Sequence, residues 1–270
     1  MLTETKQKLI DGCREAVGLI EDGKPANTTP LLQGLFNLER TEKEMYGAPK
    51  ELIDTVGDLL GKAVNAANFE KFIPFCEIVW ATGKRDFRVG LSLTLAGMAS
   101  LQPDRMIPYV FHLIESSNNW EESDNIGGYG LEHLARNNPE IYFDKIAAYL
   151  KSANIWVLRG ALVILYRLPM KRPDYSRRVL DAVEPLLSHP DEQVYKMNKF
   201  GIGIMNRGDK SELVKFINKF AKTGNARIVQ SLQEACWKLG KDVLPAVNEW
   251  LKSPNPKIRK TAESIIKKIK

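Results

Sequence analysis

The chain has 270 residues, 44% of them hydrophobic and 27% charged, which is enough to bury a large core and too apolar for a disordered segment. No apolar stretch approaches the roughly 20 residues that a membrane helix needs, because charges or proline interrupt even FIPFCEIVW and WVLRGALVILY. The net charge of +6 conceals a split, since residues 1–170 carry 18 Lys/Arg against 22 Asp/Glu (−4) and residues 171–270 carry 21 against 11 (+10). A basic half joined to a mildly acidic one points to a polyanion, with DNA or RNA ahead of a membrane surface. A solvated set of lysine-rich helices explains the charge equally well.

The opening MLTETKQKLIDGC lacks an apolar core of the secretory kind. Residues 1–45 are expected to form a helical cap and residues 46–270 a series of repeats, the whole chain making one domain. Apolar residues at i, i+3, i+4 and i+7 predict amphipathic helices, clearest over 51–64 (ELIDTVGDLLGKAV), 140–150 (EIYFDKIAAYL) and 211–222 (SELVKFINKFAK). Breaks fall at Gly83, Pro103, Asn137-Asn138-Pro139, Pro169 to Pro173, Pro190, Gly208, Gly224 and Pro254 with Pro256, and none is long enough for an interdomain linker. Strand alternation flanking hairpin dipeptides is absent, which predicts an all-α chain.

Similar units open at Thr82, Ser116, Ser152, Ser188, Thr223 and Ser253, at steps of 34, 36, 36, 35 and 30 residues. Each is a polar turn followed by a helix that begins with a basic or polar pair and continues apolar. A period in the thirties with two helices per unit is the mark of an α-solenoid, because a lone hairpin cannot bury its apolar face. The turn followed by R-x-x-A in NPKIRKTA and NIWVLRGA predicts HEAT-like units. One helix of each pair would line a curved, concave basic groove bearing Arg88, Arg159, Lys196, Lys199, Arg227, Lys257, Arg259 and Lys260. Regularly spaced cations suit a duplex backbone. The alternative is that such arginines bond to neighbouring turns.

Cys13, Cys76 and Cys236 have no C-x-x-C spacing, and His112, His133 and His189 lie far apart, so reduced thiols, no metal and a cytoplasmic location are expected. There is no phosphate-loop, zinc-protease or serine-hydrolase signature. GGYG at 127–130, read as a helix start with no preceding strand, is no phosphate loop either. One constellation remains. NNWEESD places Trp120 and Asp124 at i, i+4, on one face if the helix already runs there, and NIWVLRG places Trp156 and Arg159 at i, i+3. Asp124 and Arg159 are 35 residues apart, one repeat period, so a carboxylate, a guanidinium and two indoles could converge.

At these residues the chain resembles the AlkD-type alkylpurine DNA glycosylases of the HEAT-like DNA alkylation repair group, from about Tyr46 to about Lys222. YGAPKEL is similar to the family's G-x-x-P stretch without its usual arginines. WATGKRDFRVGL, PYVFHLIESSNNWEESD and SANIWVLRGALVIL resemble its W…(E/D)-F, W-x-x-x-D and N-x-W-x-x-R segments. The resemblance implies that Asp124 is the catalytic carboxylate, Trp120 an aromatic wall beside the lesion and Arg159 a DNA-backbone contact. It also implies a tryptophan one repeat further on, between Phe200 and Gly203, where none is present; Phe200 is the aromatic substitute in reach. A reaction without full base extrusion is implied as well.

Alkylation at N7 or N3 of a purine leaves a cationic base that departs neutral, so a carboxylate beside the oxocarbenium-like sugar and indole faces beside the cation suffice. The expected function is therefore hydrolysis of the N-glycosidic bond of such purines in duplex DNA, as in base excision repair. Trp120, Trp156, Phe200, Lys196, Lys199, Arg159 and Arg227 would contact the lesion or DNA. No cofactor, no metal and no membrane are expected, and a monomer that is nucleoid-associated if bacterial. Duller readings make Asp124 with Ser123 an N-cap, Arg159 a structural partner of Asp124, and Trp156 core, with Trp80, Trp237 and Trp250 also in the core. The alternatives for the whole chain are a catalytically silent HEAT-like protein that recognises damaged or branched DNA, and a protein-binding scaffold.

Overall fold

The computed structural model describes residues 3–39 and 47–269, so Tyr46, where the family resemblance begins, lies outside the described residues, as do residues 40–45 of the expected cap. Every regular element among them is a helix. Contacts divide the chain into two compact units, Met1–Leu134 and Ala135–Lys270, and the division falls inside a short helix rather than at a linker.

The first unit holds α1 (Thr3–Glu21), α2 (Thr28–Phe36), α3 (Lys50–Ala63), α4 (Phe69–Ala81), α5 (Arg85–Leu101), α6 (Pro103–Glu115) and α7 (Trp120–Gly130), and α8 (Glu132–Asn137) spans its end. Helices α3, α5 and α7 pack in succession as one layer, with α4 and α6 behind them. The second unit holds α9 (Pro139–Ala147), α10 (Ile155–Arg167), α11 (Ser176–Val183), α12 (Glu192–Ile204), α13 (Lys210–Lys219), α14 (Ala226–Leu239), α15 (Leu244–Leu251) and α16 (Pro256–Ile269). There α10, α12, α14 and α16 form one layer and α11, α13 and α15 part of the other. Each repeat adds one helix to each layer, the stacking of an α-solenoid.

The polar turns that mark the repeat are hydrogen-bonded caps. Ser152 Oγ accepts the Asn154 N–H at 3.1 Å, and Asn154 Oδ1 in turn accepts the N–H groups of Trp156 and Val157 at 2.9 and 3.3 Å. Thr223 with Asn225 and Ser253 with Asn255 repeat the arrangement at α14 and α16. At α12 His189 Nδ1 takes the hydroxyl's part and Asp191 caps the helix. A cap of this type contributes about 1 kcal/mol by satisfying N–H groups that the first turn leaves without partners.

The period is also visible in side-chain pairs. Arg85–Glu121, Arg88–Glu122, Arg105–Glu70, Arg178–Asp144, Lys219–Glu184 and Arg227–Glu192 join residues 34 to 36 apart. The exposed members of this set contribute little energy but record the register of one hairpin on the next.

The α3–α5 seam is closer still. A Cβ built on Gly57 would stand 2.3 Å from the Gly90 carbonyl oxygen, and one on Gly97 would stand 2.2 Å from that of Gly61. Only glycine permits this backbone approach, which brings α5, and α7 packed against it, into place. The Gly97→Ala substitution is expected to destabilise the first unit by about 1–3 kcal/mol, read as a lower denaturation midpoint, because the neighbour that must yield is backbone. An unchanged midpoint would show that the seam opens freely.

Candidate functional site

The chemistry-bearing residues of the first unit stand on α7, and the sequence around them explains why that helix starts where it does. Asn119 Oδ1 accepts the N–H groups of Glu121 and Glu122 at 3.0 and 3.1 Å and is the cap. Asp124 is therefore not an N-cap; it lies in the second turn. GGYG at 127–130 ends the helix rather than beginning one.

Two ion pairs hold this start. Arg85 grips both oxygens of Glu121 at 2.7 and 2.8 Å, and that carboxylate raises the pKa of the guanidinium. Arg88 Nη1 donates to Glu122 Oε2 at 2.9 Å, and the same oxygen accepts the Asn118 N–H at 3.0 Å. Arg88 also donates to the Trp80 carbonyl at 3.0 Å and lies 4.5 Å from the centre of the Trp80 ring, whose Nε1 reaches Ser116 Oγ at 2.8 Å. At 7% exposure Arg88 is no groove cation, which corrects the sequence expectation: it bonds the neighbouring turn and the next helix.

Because α7 already runs at Trp120, the i, i+4 spacing puts Trp120 and Asp124 on one face. Trp120 is 54% exposed, an unusual position for an indole, and Asp124, four residues on, is half-buried. Tyr129, 40% exposed, carries the Lys50 ammonium 4.6 Å from its ring centre. Sequence reasoning passed over Tyr129; an aromatic set among glycines was the available signal.

Two further stretches of the resemblance meet in a purely structural contact. Gly47 has φ of 101°, and a Cβ there would fall 2.4 Å from Asp86 Oδ1. The Asp86 carboxylate also accepts the Ala48 N–H at 3.0 Å, so Gly47 and Ala48 are held against Asp86 ahead of α3.

In the second unit Trp156 stands half-buried in the first turn of α10. Arg159, two positions past the capped N–H groups, is 6% exposed and donates from Nη1 to the Gln193 carbonyl at 2.7 Å. Its guanidinium thus ties α10 to the first turn of α12 rather than facing solvent. On α12, Lys196 and Phe200 are both exposed and one turn apart, Phe200 at 48%. Next to Phe200, a Cβ on Gly201 would fall 2.0 Å from the ring of Tyr166, which is itself buried and bonded to Asn198 at 2.8 Å. No tryptophan fits at Gly201 while that ring occupies the space.

Arg227 stacks 4.1 Å from the centre of Tyr195, donates to the Pro190 carbonyl at 3.0 Å and pairs with Glu192 at 3.3 Å. Trp80 and Trp250 are core, as expected. Trp237 departs from that expectation: it is half-buried, with Lys199 Nζ 5.6 Å and Lys268 Nζ 3.7 Å from its ring centre. The three cysteines are free and buried. Among the described residues no cluster of His, Cys, Asp or Glu could hold a metal ion, and no helix is long and apolar enough to cross a membrane.

Residues 37–239 match the family described as DNA alkylation repair enzyme. A search of curated proteins gives no match. Among solved structures, a crystal structure of an engineered protein is similar at 15% identity and a TM-score of 0.31, covering 88% of this chain and 98% of that one. A second engineered protein gives 13% identity and a TM-score of 0.30, covering 88% and 95%. Scores this low carry no argument.

The Arg88–Glu122 pair yields a prediction of its own. Arg88→Met leaves Glu122 buried at 3% exposure without its partner and is expected to cost about 3–5 kcal/mol in chemical denaturation. The double change Arg88→Met, Glu122→Leu should recover most of that loss; equal losses in both would mean that the charge pairing is not what matters.

Proposed function

The chain belongs to the DNA alkylation repair family, and on that footing we propose that it is a DNA glycosylase releasing cationic N7- or N3-alkylated purines from duplex DNA. The observation that carries this reading is the shared face of α7, with an exposed indole one turn from a half-buried carboxylate on a helix braced by two ion pairs.

The proposed chemistry asks little of the protein. The bond between C1′ and the base nitrogen breaks with its electron pair moving onto the purine, which cancels the positive charge, so the base needs no proton to leave. The sugar becomes cationic as the bond stretches. Asp124 stabilises that charge electrostatically, and the carboxylate orients the water that adds to C1′ and accepts the proton it sheds. Trp120 offers its face to the cationic base or sugar for roughly 0.5–2 kcal/mol.

In the second unit we assign Trp156 and Phe200 as lesion or DNA contacts and Lys196, Lys199 and Arg227 as backbone contacts, all to a double-stranded partner. Lys196 is exposed, and Arg227 keeps part of its side chain open at 27%. To Arg159 we assign an indirect role, as a positioning residue that ties α10 to the first turn of α12 through the Gln193 carbonyl.

A second reading, a DNA-binding relative without base release, draws on one specific observation. Between Phe200 and Gly203, where the resemblance implies a further tryptophan, the Tyr166 ring fills the space beside Gly201. One experiment separates the two. Incubated with methylated duplex, the unaltered chain is expected to release free alkylpurine, and Asp124→Asn to slow release by about 100-fold or more while duplex affinity stays within a factor of about two. Trp120→Ala should slow it by about 3- to 30-fold. Release that Asp124→Asn leaves unchanged would remove the carboxylate from the mechanism, and salt-sensitive duplex binding without any release would establish the second reading.

A further inference from the structure

The family match ends at residue 239, yet the chain continues through α15 and α16, and the charge distribution there has a direction. Helix α16 carries Lys257, Arg259, Lys260, Lys267 and Lys268 against the single carboxylate of Glu263. Its apolar residues Ile258, Ala262 and Ile265 are fully buried, whereas Lys257, Lys260, Lys267 and Lys268 are all exposed. Their steps of three, seven and one residues keep them within about 100° of one another around the helix.

These lysines differ from several cations of the other layer. There Arg178 pairs with Asp144, Lys215 with Glu212 and Lys219 with Glu184, all at 2.6 or 2.7 Å. Among the described residues none of the four α16 lysines has a carboxylate within ion-pair distance, while Arg259 is turned inward onto the Ser253 and Pro254 carbonyls. Beside them, the Lys268 and Lys199 ammonium groups bear on the same ring, Trp237, whose Nε1 is buried without a hydrogen-bond partner. Two cations on one indole and a stripe of unpaired lysines repel one another, and a line of phosphates relieves that repulsion.

We propose that α12, α14 and α16 of the second unit form a phosphate-backbone contact surface for double-stranded DNA, centred on Trp237 between Lys199 and Lys268 and extended along α16 by Lys257, Lys260 and Lys267. The proposal rests on the DNA reading above and extends its contact surface past the family-matched residues through α16. A membrane partner is disfavoured because an interfacial helix needs an exposed apolar face, and that of α16 is spent on the core.

The test uses the full chain with all four lysines changed, Lys257→Gln, Lys260→Gln, Lys267→Gln and Lys268→Gln, and a short undamaged duplex titrated over a salt series. Each phosphate contact contributes about 0.9 to the slope of log affinity against log salt, so the slope should fall by about 3–4 and affinity near 0.1 M salt by about tenfold or more. The far-UV circular dichroism should stay unchanged, as the altered side chains are exposed. The Trp237 emission, isolated as the difference between the unaltered chain and Trp237→Phe, should respond to duplex in the unaltered chain and lose that response in the lysine variant. An unchanged slope in a variant that still binds duplex overturns this surface and leaves the glycosylase reading standing. Lack of any salt-dependent duplex binding by the unaltered chain overturns both. Loss of single-strand binding with duplex binding intact overturns duplex DNA as the occupant.

Discussion

A short side-chain oxygen accepting two backbone N–H groups at the start of a helix is the interaction on which much of this architecture depends. Asn119, Asn154, Asp191 and Asn225 each supply it, and Asn255 supplies one such bond. In α10, α14 and α16 a Ser or Thr hydroxyl two positions earlier braces the capping residue's own N–H. The device fixes the residue at which each helix begins, and with it the rotational phase of every side chain that follows. Functional placement inherits that phase: had α7 begun at Asp124, Trp120 would lie in a turn and share no face with it.

The fold was largely legible because it is periodic at two scales. Helical spacing identified segments such as 211–222, which the structure realises as α13 over Lys210–Lys219 followed by a turn. The longer period followed from polar turns, and cross-repeat bonds such as Arg178–Asp144, 34 residues apart, recover it in three dimensions. Helix starts were less legible where two capping residues competed. Around α7 both Asn119 and Asp124 precede apolar residues; burial of the Glu122 carboxylate against Arg88, a contact 34 residues away, favours the earlier start. A window of a dozen residues contains no trace of that partner.

For the candidate residues the sequence conveyed identity better than orientation. Trp120, Lys196 and Phe200 emerge exposed, as a surface role demands. Arg88 and Arg159 do not, because a guanidinium at a helix start finds carbonyl groups of adjacent turns within reach, and those bonds, with the Glu122 carboxylate for Arg88, offset the cost of taking it out of water. Trp237 erred the other way. With no motif around it, it reads as packing, yet the lysine of α16 that lies over it comes from 31 residues later.

The glycine contacts between α3 and α5 carry a mechanical consequence. Where side chains interdigitate, a joint can bend by rotamer changes, each shifting a few atoms at small cost. Where Gly61 and Gly97 bring main chain against main chain, there is nothing to rotate, and sliding one helix along the other drives carbonyl oxygen into Cα. That joint behaves as a weld rather than a hinge. Whatever compliance the first unit possesses is therefore confined to joints padded by longer side chains.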